Sequence, residues 1–368
     1  MGGFDSMRKY DRNYAIDFLR FIFSIIVVMT HTNGLRPPDK NSYPFVGGYL
    51  AVEFFLILSG FFMMQSIYSS DDKVDKENYG RQSLEFIFMK MKPIFPYYIW
   101  SLLSYLAVYN FLNSFSSYEF LKNITYSFFE LFMLQMTGIS QVVYNAPTWY
   151  LSALLLSMPV LYYLGLKNKD FLIYIFAPVF VILIYGFFSQ SFGQMDVWNN
   201  YILVAKAGVL RGIAGLCVGI VCYSIYLKIS KLKFSKRQRL IMTILEILGY
   251  LAVIIILFMK GHSRLDFILI FAIAALILIT LSGQSYTQGF LNNRVSYWLG
   301  QFSIPLYLTH WTIRFVVPKV FDQGSYWEWM PIYLVLSMVY AGVVFGAYIY
   351  AKYKFQLSKF RTKIMSET

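Results

Sequence analysis

His31, Glu53 and His310 bring proton-transfer chemistry into stretches that are otherwise apolar. An imidazole held by a carboxylate is oriented and made more basic, which suits a general base that takes a proton from a hydroxyl. His31 follows Arg20 by eleven residues, which is about 16 Å further along a helix axis. Glu53 opens the next apolar run, which heads back, so it falls at a similar depth and can accept a hydrogen bond from His31. His310, in a run that begins near Ser296, reaches the same layer. Ionisable groups inside lipid cost several kcal/mol and therefore face a cavity or a partner. A buried histidine also serves simply as a helix contact.

Other residues extend the constellation. Asp17 and Arg20, three apart, share a helix face and can pair, either as a structural ion pair or as part of a site. Lys206 and Arg211 are five apart and so point about 140° from each other. Arg211 is the interior candidate, and Lys206 is expected to snorkel outward. Trp149 and Tyr150 follow Pro147 and read either as an interfacial aromatic pair or as a platform for a sugar or acyl chain. Cys217 and Cys222 fit packing in an apolar run rather than a metal motif. The chain has no Gly-x-Ser-x-Gly elbow, Walker loop, Cys-x-x-Cys or His-Glu-x-x-His pattern, so no metal site is expected.

The elements that must position these residues are membrane helices. Hydrophobic residues make up 58% of the 368 and charged residues 14%, with mean hydropathy +0.53, a composition that no water-exposed surface of this size carries. Apolar runs long enough to cross a hydrocarbon core predict spans at 16–33, 47–66, 94–112, 147–165, 171–189, 203–226, 240–259, 265–283, 296–313 and 329–351. The expectation is an all-α polytopic transmembrane bundle of ten spans, forming one domain over 1–351 with a short basic tail at 352–368. The stretch 69–82 reads as a hydrophilic loop.

A net charge of +13 raises the question of nucleic acid, but the basic residues sit between apolar runs, so membrane lipids are the expected surroundings and no nucleic-acid partner is expected. With both termini cytoplasmic, 22 of the 32 Lys and Arg fall inside, among them Arg8, Lys9, Lys73 and the Lys228 to Arg239 cluster. Seven, among them Lys40 and Arg314, fall outside, and three lie within helices. That asymmetry follows the positive-inside rule. Ser117 to Met136 is apolar but broken by charges. Were it to cross, the basic cluster would move outside, so it is expected to be interfacial or re-entrant.

On these residues the chain resembles the membrane acyltransferase-3 superfamily, bacterial O-acyltransferases of surface carbohydrates. Tyr14-Ala-Ile-Asp17-Phe-Leu-Arg20 with His31 resembles the family's opening pattern, and Val52-Glu53-Phe54-Phe55 through Ser59-Gly60-Phe61 resembles its second-helix signature. Pro147-Thr148-Trp149-Tyr150-Leu151 is similar to its Trp-Tyr-Leu element, and Tyr307-Leu308 with His310 to its late Tyr-x-x-His. The family's cytoplasmic arginine pair is replaced here by Lys90 and Pro93, with Lys92 adjacent and Arg81 nearby.

The resemblance implies a cytoplasmic acyl-CoA donor, acetyl-CoA foremost, with Arg20, Arg81, Lys90 and Lys92 offering charge to its phosphates. It implies His31, held by Glu53, as the base. Trp149, Tyr150, Arg211 and His310 would contact a surface or lipid-linked glycan acceptor, in a bacterial cytoplasmic membrane. The rival expectations are a transporter or flippase, which needs no acyl donor, and a non-catalytic scaffold, in which His31 is dispensable. The acyl group, the acceptor and the oligomeric state stay open.

Overall fold

Long apolar runs close their own backbone hydrogen bonds, and in lipid that makes helices. The computed structural model describes residues 12–36, 38, 43–70, 75–140, 142–203, 205–321 and 324–367, with side chains as far as 356. Arg8, Lys9, Lys40 and Lys73 of the charge reading lie outside the described residues, as do the side chains of Lys359, Arg361 and Lys363. The helices are α1 (Tyr14–Thr30), α2 (Ala51–Ser69), α3 (Tyr79–Met91), α4 (Phe95–Asn113), α5 (Ser117–Leu131), α6 (Trp149–Lys167) and α7 (Ala177–Ser191). They continue as α8 (Ala207–Ile229), α9 (Lys236–Met259), α10 (Leu265–Ser282), α11 (Thr287–Leu291), α12 (Arg294–Val320) and α13 (Tyr326–Glu367).

Among the described residues, eight helices are long and apolar enough to cross a membrane. The predicted spans at α4 and α12 are not among them, because α4 carries four tyrosines and Asn110, and α12 carries Gln301, His310, Arg314 and Lys319. Both nevertheless pack into the bundle, α12 against α1, α4 and α13. α5 has 15 residues, which is about 22 Å of helix, short of a core of ~30 Å.

There are three local departures from the expected spans and loops. The span expected at 203–226 begins later, since Tyr201–Ile202 and Ala205–Lys206 pair as two short antiparallel strands, β1 and β2. The span expected at 171–189 opens with a π-helical turn over Phe171–Phe176. The hydrophilic stretch gives way to α3, whose Phe86 and Ile87 are buried, with the Phe86 ring stacked on Tyr162 of α6 at 4.1 Å between centroids.

Glycine sets the close approaches. A Cβ at Gly60 would run into the Leu216 backbone, and one at Gly219 into Ile57 and Phe61, so α2 and α8 touch backbone to backbone. A Cβ at Gly300 would run into Asp17, which seats α12 directly against α1. That contact brings the two histidine-bearing helices together.

Candidate active site

His31 caps the C-terminus of α1 and begins a short 3-10 turn, His31–Leu35. Its backbone oxygen accepts from Nε of Arg314 at 2.9 Å, which holds the turn against α12. Across the helix contact, His31 Nδ1 lies 3.0 Å from Nε2 of His310, a fully buried side chain. Nδ1 of His310 in turn faces the Leu306 carbonyl at 3.3 Å.

A carbonyl only accepts, so His310 carries its proton on Nδ1 and presents Nε2 as an acceptor. His31 then donates from Nδ1 and keeps a lone pair on Nε2. That is the tautomer a general base needs, and a helix carbonyl sets it through one intervening ring.

The expected His31–Glu53 dyad is not formed. Glu53 accepts from Nε of Arg211 at 2.6 Å, both side chains being buried, and Arg211 also donates to the Tyr49 carbonyl at 2.8 Å. A buried carboxylate is tolerated only beside a compensating charge, and the guanidinium on α8 supplies it. Glu53 is therefore paired with Arg211, and His310 is the side chain that meets His31. Arg211 sits 4.9 Å from the Trp149 ring, whose face is stacked on Trp198.

Three cavities follow one another through the bundle. The first, about 210 Å³, is lined by His31, Trp149, Arg211, Tyr307, Trp311 and Arg314, among others. The second, about 300 Å³, lies between Tyr150 and Tyr307 on one side and Arg20 and Lys90 on another. The third, about 820 Å³, shares Arg20, Lys90 and Gln301 with the second and adds Arg12 and Asp17. Tyr307 borders the first and the second, and its hydroxyl donates to the Pro147 carbonyl at 2.8 Å.

Trp149 and Tyr150 separate accordingly. Successive helix positions diverge by about 100°, so Trp149 faces the histidine cavity and Tyr150 the middle one. The Asp17–Arg20 pair is present at 3.4 Å, but Arg12 lies closer to the same carboxylate, at 2.5 Å. Of the four basic residues expected at a donor site, Arg20 and Lys90 line the cavities. Arg81 instead pairs with Glu85 at 2.9 Å on an exposed face, and Lys92 is exposed outside the cavity linings. Lys206 does not snorkel; as the last residue of β2 it is buried, with its ammonium 5.7 Å from the ring of its strand partner Tyr201.

The segment before α6 is stitched in place. Glu130 accepts from the backbone N–H groups of Tyr144 and Asn145 at 2.8 Å each, and burial pushes its carboxyl up to about 7. Trp311 Nε1 donates to the Tyr144 carbonyl at 2.7 Å. These bonds fix Pro147 and Trp149 opposite α12.

Residues that sequence reasoning left out also border the histidine cavity. His262, the remaining one of the chain's three histidines, sits beside Asp196 with Nε2 to Oδ2 at 3.5 Å. Both come from connecting segments without periodicity, so no pattern marked them. Trp198 is similar. Trp311 and Arg314 lie three apart on α12, and Arg314, expected in the segment beyond the span, continues the same helix. Among the described residues no group of three or more His, Cys, Asp and Glu side chains is placed to hold a metal ion.

A family model described as an acyltransferase domain matches residues 13–361. The chain belongs to the membrane acyltransferase-3 family. It is an O-acyltransferase and a multi-pass membrane protein. No curated protein and no solved structure matches it.

Proposed function

We propose that this acyltransferase moves an acyl group, acetyl foremost, from cytoplasmic acyl-CoA to a hydroxyl of an extracytoplasmic or lipid-linked glycan, in a bacterial cytoplasmic membrane. The proposed topology has ten spans, both termini inside, α5 on the outer face and the basic tail 352–368 in the cytoplasm. The observation that carries this reading is the 3.0 Å contact between the His31 and His310 rings beside a cavity that shares Tyr307 with a second cavity lined by Arg20 and Lys90.

In this reading Arg20 and Lys90 meet the donor phosphates, and Arg12 supplements them while holding Asp17. The acyl thioester extends through the middle cavity along Phe55 and Tyr150 to Tyr307. The acceptor lies against Trp149 and Trp198. His31 Nε2 takes the hydroxyl proton as the oxygen bonds to the acyl carbon. The carbon–sulfur bond breaks, and His31 returns that proton to the departing sulfur. His310 receives no net proton; it keeps the imidazole oriented and shares the charge that His31 carries in between. Tyr307 separates the two substrates until the acyl carbon is in place.

Radiolabelled acetyl-CoA supplied to the cytoplasmic side of inverted membrane vesicles tests this reading. Label is expected in envelope glycan in the presence of the protein, and loss of label is expected with His31→Ala at equal expression. Movement of unmodified glycan without any donor would favour the transporter instead.

A further inference from the structure

We propose that Arg314 forms an anion subsite in the histidine cavity, which grips a carboxylate or phosphate group carried by the acceptor beside the hydroxyl being acylated; this rests on the functional reading above. The guanidinium lines the cavity next to His31. Its partners are neutral: the His31 carbonyl at 2.9 Å, Oδ1 of Asn33 at 3.4 Å and the face of Trp311 at 4.2 Å. Among the described residues no carboxylate lies within ion-pair distance of it.

The other charges that line this cavity are met. Arg211 has Glu53 at 2.6 Å, and Asp196 has His262 at 3.5 Å. Among the described residues this cavity therefore carries one half-buried positive charge without a carboxylate partner, which leaves it available to an anionic ligand. Three features hold the group in place. Nε is used by the His31 carbonyl, the ring of Trp311 supports the guanidinium plane, and Gly34 leaves the space that a Cβ would take from the guanidinium. The remaining N–H groups form the planar fork that suits a carboxylate or a phosphate.

The position also accounts for selectivity. Arg314 is tied to the backbone of the base itself, so an anion held by the fork sits at a set distance from Nε2 of His31. A neutral sugar fills the same space but leaves the guanidinium unmet.

The test uses the purified full-length protein in detergent, with thermal unfolding followed while glucuronate, glucuronamide or inorganic phosphate is titrated. One of the two anions is expected to stabilise the wild type at concentrations about tenfold below glucuronamide. Arg314→Gln is expected to abolish that preference, and Arg314→Lys, which keeps the charge without the fork, to reduce it. A stronger response to glucuronate identifies a carboxylate acceptor, and a stronger response to phosphate identifies a phosphorylated one. Equal responses to all three probes in the wild type, or an unchanged preference in Arg314→Gln, would overturn the subsite. Should the Gln variant not fold, an undiminished preference in Arg314→Lys overturns it instead. Acetyl transfer is scored separately in membranes. Anion preference without transfer counts against the functional reading alone, and transfer without anion preference counts against the subsite alone.

Discussion

At the residue scale, the site turns on which partner each ionisable group takes. His31 looks to His310 and Glu53 to Arg211, and these choices predict different consequences. Replacing His310 with Ala removes the acceptor that fixes the His31 tautomer, so turnover is expected to fall by about 10- to 100-fold. The Michaelis constant for acetyl-CoA should stay unchanged, since His310 lies outside the two donor-side cavities. Glu53→Gln leaves Arg211 buried without its carboxylate, and a broken buried pair costs about 3–5 kcal/mol. A fall in detergent-solubilised thermal stability that matches the loss of activity would be the signature of that structural role; a stable, inactive Glu53→Gln would return Glu53 to catalysis.

His262 supplies the pH prediction. The Asp196 carboxylate beside it raises its pKa above the ordinary imidazole value, against the opposing effect of burial. A raised histidine pKa means that the folded state holds the proton more tightly than the unfolded state. The pair's small contribution to stability is thus fully present below the unfolded pKa of about 6.5 and is lost as pH rises through the folded value. Titration of the His262 ring signals by NMR should show the raised value, and Asp196→Asn should bring it down. An identical titration in the variant would remove the carboxylate as the cause.

At the element scale, the α1–α12 contact matters most, because it carries His31 to His310. Gly300 is its tightest point, where a side chain would collide with Asp17. Gly300→Val is expected to push α12 outward and cost about 1–3 kcal/mol by overpacking. Activity should fall further than that destabilisation alone explains, because the histidines separate. Wild-type turnover in a properly folded Gly300→Val protein would show that the helices tolerate the shift. The helices themselves were largely legible from the sequence, since an apolar run in lipid has one way to satisfy its backbone. The strand pair that ends at Lys206 and the helix at Tyr79–Met91 were not, because both are too short or too polar to stand out from connecting chain.

At the scale of the whole molecule, Tyr307 lines both the histidine cavity and the middle one, and Arg20 and Lys90 line both the middle and the third. Lys90→Ala is expected to raise the Michaelis constant for acetyl-CoA several-fold with little change in acceptor use, and Arg81→Ala, whose partner is Glu85, is expected to change neither. The reverse ranking in initial-rate kinetics would move the donor site. Sequence spacing exposed pairs that share a helix, such as Asp17 and Arg20. It did not expose Glu53 with Arg211, or His31 with His310, because those partners come from helices far apart in the chain. Depth could be read from helical rise, so the approach of His31 and His310 along their helices was visible; the rotation of each helix, which decides who meets whom, was not.

The most direct measurement is transfer of radiolabelled acetyl from acetyl-CoA to envelope glycan in membranes holding equal amounts of wild type, His31→Ala, His310→Ala or Glu53→Gln. The account predicts label with wild type, loss by about 10²- to 10⁴-fold without the His31 base, and a smaller loss without His310. Undiminished incorporation in His31→Ala would contradict it.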